Sequence, residues 1–129
     1  MRTLPYIIIA LAFLDASCVK DNADDCIEYR QSTFSNVSIP DTIPVNQETK
    51  IKATVLCGSG CATFNKFEET NIGFTKSIKA IVKYEGCECT QIASFVDTGF
   101  VFKPTAPGTY LFRFLQEDNS IITDSTVVI

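Results

Sequence analysis

The stretch Phe100-Val101-Phe102-Lys103-Pro104-Thr105-Ala106-Pro107-Gly108-Thr109-Tyr110-Leu111-Phe112-Arg113-Phe114 decides the fold. Tyr110, Phe112 and Phe114 share one side of an extended run, and Arg113 faces the other way. Phe100 to Phe102 forms a shorter run ahead of it. Between the two, Pro104, Pro107 and Gly108 supply corner residues that a continuing helix or strand would not accept. The passage reads as strand, corner, strand.

Working outward, the same period-2 pattern recurs. Ile51, Ala53, Val55 and then Cys57 lie on one face of the run from Lys50. Ile78, Ala80, Val82 and Tyr84 share a face, with Lys79 and Lys83 opposite. Phe34, Val37 and Ile39 belong to a first extended stretch that stops at Pro40-Asp41. After Gly58-Ser59-Gly60 a strand restarts at Cys61 and carries Phe64 and Phe67. Ile92 to Phe95 and Phe100 to Phe102 read as a strand broken or turned at Asp97-Thr98-Gly99. Ile121 to Ile129 closes the chain as a hairpin partner across Gln116 to Ser120. Only Lys66 to Thr70 has the composition for one turn of helix, and Asn71 and Gly73 stop it. About seven short strands in roughly a hundred residues predict an all-β, antiparallel sandwich.

The passage from Phe100 to Phe114 resembles the E-to-F segment of immunoglobulin-like domains. That resemblance implies a Greek-key immunoglobulin-like β-sandwich over residues 26–129. It also implies that Tyr110 is a tyrosine-corner residue, its hydroxyl bonded back to corner backbone. The fold carries many activities and implies none of them.

The N-terminus gives an address. Met1-Arg2 is followed by the apolar run Tyr6 to Leu14 and by Asp15-Ala16-Ser17-Cys18. The run is too short for a transmembrane helix, which needs roughly twenty residues. It reads as a cleaved signal over residues 1–17. A cysteine at the cleavage point resembles a bacterial lipoprotein signal, with a relaxed box similar to those of Bacteroidota lipoproteins. The resemblance implies lipid attachment at Cys18. Residues 18–25, with Asp21, Asp24 and Asp25, form an acidic tether similar to the export signals that send such lipoproteins to the outer face of the outer membrane.

Removing residues 1–17 from 129 leaves 112, enough for one domain. Fifteen acidic and eleven basic residues give a charge of −4, with no basic stripe for nucleic acid. The chain has no histidine, which excludes His-based triads and His-ligated metal sites, blue copper included. Glu68-Glu69, Asp97 and Asp118-Asn119 read as surface or turn residues rather than a catalytic pair. The expectation is no catalytic residue, no cofactor and no metal. Asp41-Thr42-Ile43 and Asp124-Ser125-Thr126 resemble Bacteroidota O-glycosylation acceptors, and Asn36-Val37-Ser38 is formally an N-glycosylation sequon.

Five cysteines follow Cys18. If successive strands alternate in direction, Cys57, Cys61, Cys87 and Cys89 gather at one end of the sandwich, as two disulfides in an oxidising compartment. Cys87 with Cys89 is disfavoured by extended-chain spacing. Two pairings stay open: Cys61–Cys87 with Cys57–Cys89, the slightly preferred one, or Cys57–Cys87 with Cys61–Cys89. Cys26 is left over.

The functional expectation is a non-enzymatic, membrane-anchored binding module for an envelope protein or glycan, using loops at the disulfide end or an exposed sheet edge. One alternative is a protease inhibitor, because the Phe102-to-Tyr110 passage also resembles chagasin-like cysteine-protease inhibitors. Their Trp-containing loop has no counterpart here, as the chain has no Trp. The other alternative is a cysteine-ligated metal or redox protein, to which Cys-x3-Cys and Cys-x-Cys spacing fits poorly.

Overall fold

A computed structural model describes residues 26–129. The signal, Cys18 and the acidic tether lie outside the described residues. The domain is all-β, with nine strands in two facing sheets. The strands are β1 (Ile27–Gln31), β2 (Phe34–Ser38), β3 (Thr42–Ile43), β4 (Thr49–Cys57), β5 (Ala62–Ile72), β6 (Thr75–Glu85), β7 (Ser94–Phe102), β8 (Gly108–Leu115) and β9 (Ile121–Val128). The smaller sheet has the order β2-β4-β7. The larger runs β1-β6-β8-β9-β3, with β5 also paired to β6.

The alternation seen in the sequence sets the core. Ile51, Ala53, Val55 and Cys57 from β4 face Ile78, Ala80 and Val82 from β6 and Phe112 and Phe114 from β8, all buried. Phe34, Phe100 and Phe102 complete an aromatic centre. Phe34 meets Phe114 edge-on at 5.1 Å, and Phe102 meets Phe112 at the same centroid distance.

The sandwich matches the expected architecture, and its details add to it. There are nine strands rather than seven because two short ones, β1 before it and β3 after it, flank the first extended stretch, which is β2. At Ser32 the chain changes sheets: its N–H donates to Ala80 O of the larger sheet and its hydroxyl to Leu56 O of the smaller. The larger sheet is mixed. β3 runs parallel to β9, and β6 runs parallel to β8 over Thr75–Ile78. The segment Lys66–Thr70 is strand, not helix, and a bulge between Phe64 and Lys66 explains the three-residue spacing of Phe64 and Phe67.

β7 is likewise one unbroken strand through Asp97-Thr98-Gly99, in continuous register with β4 from Ser94↔Cys57 to Phe102↔Thr49. Gly99 keeps it straight there, since a Cβ at that position would run into the Ile51 carbonyl oxygen.

Candidate functional site

Strand direction gives the sandwich two poles. β4 ends at Cys57, β6 ends at Glu85, and β1 begins beside Glu85 through the Ile27↔Glu85 pair. Cysteines therefore collect at one pole, as alternation required. Cys26 bridges Cys87 with a Cα separation of 5.0 Å, and Cys61 bridges Cys89 at 5.4 Å. The backbone draws these segments together: Gly86 N–H donates to Cys26 O at 2.9 Å and Glu85 N–H to Cys61 O at 3.0 Å. Gly86 takes a φ of 137°, and a Cβ on it would sit 2.8 Å from Cys61 Sγ.

This pairing corrects the expected one. Cys61–Cys89 belongs to one of the two open alternatives, but Cys57 takes no part in a bridge. Cys57 continues the inward face of Ile51, Ala53 and Val55, so its thiol points into the core and away from the rim. Burial pushes that thiol above its ordinary pKa. The leftover Cys26 takes its place, because β1 pairs with the end of β6 and delivers Cys26 to Cys87. The signal was present in the alternation of β4, which made Cys57 a core position.

Between the bridges lies an open groove of about 640 Å³, lined by Cys26, Arg30, Ser59, Tyr84, Cys87 and Gln91 among others. The Arg30 guanidinium sits 4.8 Å over the Tyr84 ring and donates to Glu28 at 2.6 Å. That contact holds the exposed Glu28 carboxyl below its ordinary pKa.

The opposite pole holds the corner. Tyr110 Oη donates to Ala106 O at 2.9 Å, the hydrogen bond that the resemblance implied. The Tyr110 ring is wedged edge-on between Phe74 at 4.7 Å and Phe102 at 5.2 Å. Phe74 comes from the β5–β6 turn, and its carbonyl accepts from Leu111 N–H at 2.9 Å. An open cleft of about 350 Å³ runs past Phe74, Lys76, Phe102, Pro104 and Tyr110. Phe74 is 47% exposed and Ile72, the last residue of β5, 76%.

The remaining candidates are dispersed. Glu68 and Glu69 lie on β5, Asp97 on the outer face of β7, and Asp118 in the β8–β9 turn. Asp97 accepts from Thr54 Oγ1 at 2.8 Å. Asp118 accepts from the Ser120 hydroxyl at 2.5 Å and from its backbone N–H at 2.9 Å, which holds its carboxyl below the ordinary value. Among the described residues these carboxylates do not converge, and no group of three or more metal-ligating side chains forms. Thr42, Ser125 and Asn36, the formal glycosylation positions, are exposed.

The chain matches no family profile, no curated protein and no solved structure.

Proposed function

We propose that the protein is a non-enzymatic binding module of a bacterial envelope, lipid-anchored through Cys18, with its contact surface at the pole away from the cysteines. The observation that carries this reading is the position of Cys26. It lies eight residues beyond Cys18 and is bridged to Cys87 at one pole. An extended tether of that length reaches about 27 Å at most. A lipid at Cys18 therefore holds the cysteine pole toward the membrane and leaves Phe74, Tyr110 and the Lys103–Pro107 corner facing outward. Exposed aromatic and apolar side chains on loops held by a rigid sandwich suit binding. The disulfide-end loops become the weaker choice for a contact surface.

Two features weigh against the rival classes. Four of the cysteines are consumed as bridges, which removes the thiolates that a Cys-ligated metal site needs. Among the described residues Glu68 and Glu69, Asp97 and Asp118 lie on separate elements, which does not favour paired acid–base chemistry.

The test combines labelling with cross-linking in cells. Radiolabelled palmitate should enter the wild-type protein and not Cys18→Ser; equal labelling of both would remove the anchor. A photo-reactive residue at Phe74 should capture an envelope partner more strongly than one at Gln91. The reverse ranking would overturn the orientation.

A further inference from the structure

We infer that the β7 edge pairs with the β7 edge of a second copy of this chain, in antiparallel register about a two-fold axis at Thr98. The argument begins with how the sheet edges are guarded. Outer strands expose unpaired N–H and C=O groups, and natural sheets blunt them with short length, bulges, charge or proline. β5 carries a bulge and Lys66, Glu68 and Glu69. β2 has five residues and a bulge between Phe34 and Asn36. β1 has five residues and β3 two. β7 has nine residues, unbroken register, no proline and no lysine, and among the described residues β4 is its only paired neighbour.

The side chains of β7 are complementary to themselves. Full overlap of two Ser94–Phe102 strands centres on Thr98 and sets Phe95 opposite the second copy's Val101, and Asp97 opposite its Gly99. Phe95 is 64% and Val101 60% exposed, both on the outer face. Leu56, the β4 neighbour of Phe95, extends that contact into a row of three apolar side chains. An aromatic set against a β-branched residue is a favourable cross-strand pair.

The charges fit the same register. Lys52 is the β4 neighbour of Gly99. With no side chain on Gly99, Lys52 of one copy reaches across it toward Asp97 of the other. Thr54 holds that Asp97 from the opposite side by its 2.8 Å hydrogen bond. The two-fold axis repeats each contact twice, making an isologous interface. An unrelated extended segment would fill the backbone positions but would not be expected to supply both the apolar and the charged matches. A second copy supplies both by symmetry.

The experiment uses the full-length protein extracted in detergent, with mass measured by sedimentation across a concentration series. A reversible dimer is expected. Phe95→Lys with Val101→Lys should weaken association at least tenfold while leaving the circular dichroism and melting temperature unchanged, both sites being exposed. Lys52→Glu should weaken it roughly fivefold, and adding Asp97→Lys should restore it. Oxidation of the Phe95→Cys, Val101→Cys double variant should give a covalent dimer through 95–101 links. A monomer at every concentration, a dimer indifferent to these substitutions, or in-cell cross-links from residue 95 only to a different protein would each overturn the inference. None of these outcomes depends on whether Cys18 carries lipid.

Discussion

Gln116 and Phe34, 82 positions apart, exchange two hydrogen bonds: Phe34 N–H donates to Gln116 Oε1 at 2.8 Å, and Gln116 Nε2 donates to Phe34 O at 2.9 Å. Phe34 belongs to the smaller sheet and Gln116 follows β8 of the larger one. The side-chain amide thus acts as a one-residue strand, satisfying the outer backbone edge of β2 at a buried position. Gln116→Ala leaves a buried donor and a buried acceptor unpaired. The expected loss is about 2–4 kcal/mol of unfolding free energy, read by chemical denaturation.

The thiol inventory separates the cysteines. Unreduced native protein should resist alkylation at Cys57, which is fully buried and whose pKa burial has raised. In denaturant without reductant, one adduct should appear on the segment from residue 26 onward. Reduction should raise that to five. More than one adduct before reduction would refute the observed pairing.

Replacing Cys26 and Cys87 together by Ala opens a loop of sequence separation 61. The chain-entropy account assigns such a crosslink about 4 kcal/mol, against about 3.5 kcal/mol for the Cys61–Cys89 loop of 28. Both double variants should melt well below the wild type, with the Cys26–Cys87 variant at least as far below it as the other.

Tyr110→Phe keeps the ring between Phe74 and Phe102 and deletes only the bond to Ala106 O. A loss of about 1 kcal/mol is expected. Tyr110→Ala should cost several times more, because it empties a site packed by two aromatic rings. Equal effects from the two substitutions would mean that the hydroxyl, not the ring, makes the corner.

Asp118 has its carboxyl pKa held down first by the Ser120 hydroxyl and then by the Ser120 N–H. A folded-state pKa below the unfolded one contributes stability above the ordinary carboxylate value, and that contribution disappears as pH falls through the folded value. Because the group is fully exposed, the effect is small. Thermal midpoints between about pH 5 and pH 2 should fall slightly less steeply in Asp118→Asn than in the wild type.

The inward faces of β4, β6 and β8 were legible because a half-buried strand writes its burial directly into alternating residues. The corner at Tyr110 was legible because Pro and Gly mark it. The parallel contact of β6 with β8 was not, since only a few residues of each strand touch and neither carries a local mark of its partner. β7 looked interrupted because Gly99 usually signals a turn; here it admits the Ile51 carbonyl instead. Gln116 reads locally as the start of the hairpin connection, as nothing near it in sequence points to Phe34. Cys57 carries two conflicting signals: its alternation with Ile51, Ala53 and Val55 places it inward, while its nearness to Cys61 suggests a bridge, and the core position wins.

The Cys26–Cys87 bridge also determines how the domain meets mechanical load. Tension on the N-terminal segment would ordinarily unzip β1 from β6 one hydrogen bond at a time. The bridge instead passes the load at residue 26 directly to the end of β6, a strand flanked on both sides within its sheet. β1 then carries almost none of it. Peeling becomes shear along the centre of the sheet, and the domain keeps its shape under a pull at residue 26.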